Sequence, residues 1–176
     1  YISKSSAAVD FTKENIQPNY PKLLNNEISI ENFIEENKID FSNKIIKDPS
    51  LALYYDKIKY FFNNHQTVFI VRDPRDNIRS ILNRLNLPGT IDSLENIDFS
   101  KYGPGWKYVL NNDWLGVKSN DIITQLAERW NLFFNIYNDN SKNFRLIKYE
   151  DFLIDKSRSI KSLCHDLNLP LKNNII

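Results

Sequence analysis

Apolar positions along this chain change spacing several times, and each change predicts an element. Thr67-Val68-Phe69-Ile70-Val71 is a short, largely β-branched run without alternation, which predicts a parallel strand covered on both faces. Just downstream, Ile78, Ile81, Leu82 and Leu85 recur at helical spacing. Asp73 is placed to cap that helix, with Pro74 at its first position and Asp76 three residues after the cap, a variant of the capping box. Upstream, Lys44-Ile45-Ile46-Lys47 predicts another short strand, and Asp48-Pro49-Ser50 a helix start. The stripe Leu51, Tyr54, Tyr55, Ile58, Phe61, Phe62 then leads into residues 67–71. Two strand and helix pairs in succession imply right-handed crossovers and a parallel sheet. Residues 1–43 are polar and weakly periodic; Pro18 and Pro21 are expected to break any early helix, while Ile30, Phe33 and Ile34 after Ser29 predict a short one.

Periodicity fades over residues 86–120, which hold Pro88-Gly89, Gly103-Pro104-Gly105 and the scattered aromatics Phe99, Tyr102, Trp106, Tyr108 and Trp114. A stretch of that length reads either as a functional loop, a lid bordering an acceptor pocket, or as a surface excursion pinned by its aromatics. Ile123, Leu126, Ala127, Trp130, Phe133, Phe134 and Tyr137 predict a helix over about 120–137, and Phe144-Arg145-Leu146-Ile147-Lys148-Tyr149 a strand. A last helix carries Ile160, Leu163, Cys164 and Leu167 and stops at Asn168-Leu169-Pro170. Cys164, on its apolar stripe, reads as a small core residue.

A length of 176 residues suits one domain. The formal net charge of +1 gives no reason to expect nucleic acid or an acidic membrane as partner, so any anion site must be local. One cysteine rules out an intrachain disulfide and favours a reducing compartment. No apolar run reaches the length of a membrane span and residues 1–20 lack a signal-peptide pattern, so a cytoplasmic location is expected. The sequence holds no methionine, so an N-terminal portion is expected to lie upstream. Oligomeric state is not legible.

The charged turn that joins residues 67–71 to the next helix is where chemistry concentrates. Arg72 stands at the carboxyl end of the strand and Ser80 in the early part of the helix, so the two can converge on one anion. This segment resembles the 3'-phosphate-binding motif of the sulfotransferases that use 3'-phosphoadenosine 5'-phosphosulfate (PAPS), whose Arg, Pro, Asp and Ser match Arg72, Pro74, Asp76 and Ser80. In that family the Arg and Ser grip the 3'-phosphate. The block Tyr149-Glu150-Asp151-Phe152 is similar to the family's Tyr-Glu-Asp-Leu strand end, which implies that Tyr149 contacts adenine. The resemblance covers about residues 44–170. It implies an α/β fold with a P-loop-NTPase-like parallel sheet flanked by helices, and a nucleotide co-substrate, PAPS, released as PAP after transfer to a small-molecule or carbohydrate acceptor.

Sulfuryl transfer needs a cation at the departing phosphate oxygen and a base for the acceptor. Lys47 ends the strand before the one leading to Arg72, so parallel packing would put both at one sheet edge, and the family often has a Lys there. Where cytosolic members place a catalytic His, this chain has Pro49. A carboxylate base is therefore expected, Asp48 ahead of Glu150 and Asp151, although Asp48 also reads as a helix cap. His65 precedes its strand and His165 lies on a polar helix face, both read as surface residues, and no metal is called for. The family's Gly-containing 5'-phosphosulfate loop has no match; the nearest segment is Lys4-Ser5-Ser6-Ala7-Ala8, which lacks the Gly. Two other readings stay open: a P-loop-type kinase, which would need Mg2+ and ignore a 3'-phosphate, and a non-catalytic relative of the fold.

Overall fold

A computed structural model describes residues 9–10, 19–62, 64–90 and 94–171. Helix predominates, with parallel strand pairing in two places. Strand β1 (Val9–Asp10) lies beside β2 (Ile46–Lys47), Val9 against Ile46 and Asp10 against Lys47. Strand β3 (Thr67–Val71) runs parallel to β4 (Phe144–Lys148), in register from Thr67 beside Phe144 to Val71 beside Lys148. The expected single sheet is not what the described residues form: β2 and β3 are not hydrogen-bonded neighbours, and each belongs to a two-stranded sheet. Mixed helix and strand with parallel pairing is therefore the architecture shown.

The amino-terminal helices α1 (Tyr20–Leu24), α2 (Ile30–Glu36) and α3 (Lys38–Phe41) build the first core. Pro21 does not break a helix here but sits in the first turn of α1, where a missing N–H costs nothing. Ser29 caps α2 by accepting from the Asn32 amide at 3.2 Å. Leu23, Leu24, Ile30 and Phe33 are fully buried, and Phe33 meets Tyr20 and Phe41 at 5.9 Å each while Phe41 stacks on Phe62. The strand β2 feeds a 3-10 turn (Pro49–Tyr54) capped by Asp48, then α4 (Tyr55–Phe61).

Helix α5 (Pro74–Leu85) follows β3 and contributes Leu82 and Leu85 to a second core. It ends at Asn86 in the left-handed conformation, as the last helix ends next to Asn168. With only four glycines in the chain, asparagine does the work usually given to glycine at these stops, since its short polar side chain tolerates positive φ.

Residues 86–120 are more structured than a loop. They hold helix α6 (Pro104–Leu110) and 3-10 turns at Phe99–Lys101 and Asp113–Leu115, and they lie against α7 (Ile122–Asp139). Leu110, Ile122 and Leu126 are buried together, with Ile97, Phe99, Tyr102, Trp106 and Val109 packed around them. Irregular turns separated by Gly and Pro hid the apolar pattern. Polar fasteners complete the contact: the Asn112 amide donates to Gln125 Oε1 at 2.8 Å, Asn112 Nδ2 to the carbonyls of Val109 and Gln125, and Gln125 Nε2 to the Ser119 carbonyl at 2.6 Å.

One face of the β3–β4 pair is covered by aromatics: Phe69 stacks on Tyr137 of α7 at 5.2 Å, and Phe144 meets Tyr55 of α4 at 4.4 Å. The opposite face is not sealed, because Ile70 keeps 64% of its surface exposed. Two strands are too narrow for the double coverage that their composition predicts. After β4 come α8 (Tyr149–Ile154) and α9 (Lys156–Asp166), the latter tied to β4 by the Arg145 and Asp166 ion pair.

Gln125 is wholly buried and answers Asn112 and Ser119. Gln125→Leu should lower the unfolding free energy by roughly 1–3 kcal/mol for each buried group it strands, and should speed hydrogen exchange at the Asn112 amide. Urea denaturation at unchanged stability would show that residues 86–120 are not fastened to α7 in this way.

Candidate functional site

The β3–α5 turn is built from two distant parts of the chain. Asp73 caps α5 by accepting from the Arg75 amide at 2.9 Å, and Arg75 returns to the same carboxylate through Nε at 3.1 Å and Nη2 at 2.9 Å. This guanidinium contact is the main reason the Asp73 carboxyl is held down at about 2. The Asp73 N–H, which a capping box would offer to the residue three positions on, is taken by Glu150 Oε1 at 2.9 Å, 77 residues away. Asp76 does not fill that role and pairs with Arg79 at 3.6 Å. Accepting this N–H is likewise the chief influence that lowers the Glu150 carboxyl, with the Arg72 charge a lesser one.

Arg72, the residue between strand and cap, is held at both ends. Its carbonyl accepts from Trp130 Nε1 of α7 at 3.0 Å, and its guanidinium lies 4.9 Å from the centre of the Tyr149 ring. Trp130 is fixed in turn by stacking on Phe134 at 5.0 Å. Stacking of this kind orients a planar guanidinium and leaves its N–H edge available for an oxyanion. Arg72 and Tyr149, expected to serve one nucleotide from different motifs, are thus neighbours. Ser80 sits near the end of the second turn of α5, exposed, and about 9 Å along the axis from Pro74.

Lys47 and Asp48 stand at the end of β2, in the other sheet. Asp48 caps the Pro49–Tyr54 turn, accepting from the Ser50 amide at 2.6 Å and from the Tyr20 hydroxyl at 3.0 Å. Burial, then the Asp48 charge, pushes the Tyr20 phenol far above its ordinary value, and the same two influences raise Tyr54.

Sequence reading missed Arg129. Its guanidinium donates to Asn112 Oδ1 at 3.1 Å and to the Tyr108 carbonyl at 3.3 Å, and lies near the rings of Phe133, at 4.7 Å, and Trp114, at 5.7 Å. Burial lowers its pKa to about 10, a shift that the Asp48 carboxylate opposes, so it stays cationic at neutral pH. The signal was present. Ile122, Gln125, Leu126, Arg129 and Phe133 share one helical face, and an Arg inside an apolar stripe calls for buried acceptors.

Other candidates fall elsewhere. Lys4, Ser5 and Ser6 lie outside the described residues. Glu150 is committed to the Asp73 amide, and Asp151 is exposed in α8. His65 contacts the Phe62 carbonyl through Nδ1 at 2.6 Å before β3 begins, and His165 is exposed on α9. Cys164 is half-buried. No group of three or more His, Cys, Asp or Glu among the described residues is arranged to hold a metal, and no helix among them is long and apolar enough to cross a membrane. Two shallow depressions, one between residues 115–119 and the outer face of α7 and one around Tyr55, Lys59 and His65, include neither Arg72 nor Lys47 in their linings.

Comparison with protein-family models, with curated proteins and with solved structures finds no match to this chain.

Acid should loosen the turn. Unfolded Asp and Glu carboxyls titrate near ~4, and both carboxyls of this turn sit lower when folded. Their stabilisation is therefore complete above that range and is lost as pH falls through the folded values, toward about 2 for Asp73. Glu150→Ala should destabilise the protein at pH 7 and expose the Asp73 amide to hydrogen exchange, with the difference from wild type shrinking by pH 3. An equal difference at both pH values would mean that the Glu150 charge plays no part.

Proposed function

We propose that this chain is a PAPS-dependent sulfotransferase, acting in the cytoplasm, that transfers a sulfuryl group to a hydroxyl or amine of a small-molecule or carbohydrate acceptor. One observation carries the reading: Arg72 is clasped by Tyr149, and the next amide by Glu150, so the two motifs that resemble the family's nucleotide-binding segments meet at one turn. Parallel pairing that ends with Val71 beside Lys148 brings both segments to one sheet edge, as a shared nucleotide site requires.

In this reading Arg72 and Ser80 receive the 3'-phosphate, the group that separates PAPS from ATP, and Tyr149 offers a ring face to adenine. Lys47 faces the bond that breaks. The acceptor oxygen or nitrogen attacks sulfur in line, the S–O bond to the 5'-phosphate opens, and its electron pair remains on the phosphate oxygen of PAP. The Lys47 ammonium stabilises that growing charge, while the acceptor's proton passes to a carboxylate, with Asp48 as the candidate at this end of the site. Backbone amides of a Gly-containing loop would complete the grip on the 5' end.

Lys47→Ala should lower kcat far more than it weakens PAPS binding, since the contact strengthens only as charge develops. Normal turnover in that variant would remove Lys47 from the mechanism.

The family assignment rests on the 3'-phosphate. A charge-assisted hydrogen bond to a partly buried phosphate contributes roughly 1.5–3 kcal/mol. Arg72→Ala should thus weaken PAP about tenfold to a hundredfold, Ser80→Ala less, and neither should change adenosine 5'-phosphate binding much. Calorimetric titration of both nucleotides reads this directly. Equal affinity of the wild-type protein for PAP and adenosine 5'-phosphate would favour a kinase-like activity instead.

A further inference from the structure

Adjacent residues of α7 make polar contacts in two directions. Trp130 donates to the Arg72 carbonyl at the end of β3. Arg129, one position earlier, donates to the Tyr108 carbonyl and to Asn112 Oδ1. Tyr108 is itself packed against the first core, as are Leu51 and Tyr54 of the turn that Asp48 caps. Helix α7 also packs directly on that turn, Pro49–Tyr54. Among the described residues β2 and β3 are not hydrogen-bonded to each other, and α7 touches both the Arg72 carbonyl and the turn that follows Lys47.

We propose that Arg129 and Trp130 are positioning residues that set the separation of a two-ended phosphate site, Trp130 holding the Arg72 end and Arg129 the Lys47 end. The inference rests on the sulfotransferase reading and deepens it: it assigns the ability to bind both phosphates of one nucleotide to a helix that touches neither. A rigid ligand bearing 3'- and 5'-phosphates matches a fixed span, whereas a nucleotide with one phosphate needs only one end. Arg129 is suited to its part because Nη1 donates to both acceptors while the planar guanidinium lies near the rings of Phe133 and Trp114, a combination that lysine does not reproduce.

Three probes separate the ends: PAP, adenosine 5'-phosphate and adenosine 3'-phosphate. The 5'-phosphates of the first two carry the charge that develops on the leaving group, so they report on the Lys47 end. In the intact chain, Arg129→Lys should weaken PAP and adenosine 5'-phosphate by a common factor, about fivefold for one lost hydrogen bond, and leave adenosine 3'-phosphate unchanged. Trp130→Phe should do the reverse, weakening PAP and adenosine 3'-phosphate and sparing adenosine 5'-phosphate. Asn112→Ala removes one acceptor of the Arg129 guanidinium at a residue outside the phosphate site, so it gives a second reading of the Lys47 end should Arg129→Lys fail to fold. It should follow the Arg129 pattern. Proportional loss of all three ligands with a lowered Tm would reduce Arg129 and Trp130 to general stabilisers and overturn the proposal, as would unchanged binding in every variant. Those outcomes leave the family reading intact when the wild-type protein still prefers PAP to adenosine 5'-phosphate. Absence of that preference in wild type would bring down both.

Discussion

Among the described residues, two short parallel sheets with no hydrogen bond between them impose the main constraint. In a continuous parallel sheet, ladder bonds hold neighbouring strand ends about 5 Å apart. Here that duty passes to α7, which touches β3 through Phe69 and Tyr137, the Arg72 carbonyl through Trp130 and α6 through Arg129, and which packs on the Pro49–Tyr54 turn. Side-chain contacts are more readily repacked than a ladder, so both halves depend on one helix keeping its register. The aromatic wealth of the α7 face follows from that task. Phe133, Phe134 and Tyr137 present large rigid areas that fix a position with few rotatable bonds.

Polar groups inside this interface are tolerated because each is answered. Gln125, Asn112 and Arg129 sit on or against the apolar stripe of α7, and together they meet the carbonyls of Tyr108, Val109 and Ser119 and the amide of Asn112. A satisfied network of this kind adds little net stability over a well-packed apolar core, but it admits one arrangement only, since any slip strands a buried donor. The Arg129 charge raises the stakes. Desolvation opposes it, and the negative charge at Asp48 offsets part of that opposition, so the capped turn after Lys47 and the α6–α7 contact cannot move independently. Specificity of placement, more than energy, is what such a cluster contributes.

Local order was legible wherever one face of an element carried the pattern. Strands β3 and β4, the caps Asp48 and Asp73, and α7 all lie where spacing predicts them. What escaped was long-range. The capping box of α5 is closed by Glu150 and not by Asp76, because a distant carboxylate with a direct approach to the Asp73 amide displaced the local one. Residues 86–120 read as a loop because their helical turns are short and interrupted by Gly and Pro, so each falls below the length at which a 3.6-residue period shows. Lys47 and Arg72 were expected on one sheet because two strand and helix pairs in succession imply a parallel sheet. Strand pairing, however, depends on partners that a local pattern does not name, and among the described residues β2 pairs with Val9–Asp10. For the candidate site, Arg72 and Tyr149 were legible as members of two motifs, whereas Trp130 was visible only as part of an apolar stripe and Arg129, a charged residue among apolar ones, was missed.

Charge at the β3–α5 turn nearly cancels, and this shapes how an anion can bind there. Arg75 is spent on Asp73, while Glu150 brings a negative charge that the Asp73 amide only partly answers. The chain as a whole carries +1, so no broad positive field draws an oxyanion inward. Affinity must come from the geometry of one guanidinium. Stacking on Tyr149 favours that geometry, since a side chain with about 2 kcal/mol of rotamer entropy is already confined before a ligand arrives. The same stack places Glu150, the next residue after Tyr149, close behind the cation. Attraction to the Arg72 guanidinium and repulsion by Glu150 both grow with the charge of an incoming anion, so net charge alone selects little there. What the turn would offer an anion is shape: a guanidinium fork matches two oxygens of one group, and a phosphate monoester presents them where a hydroxyl does not.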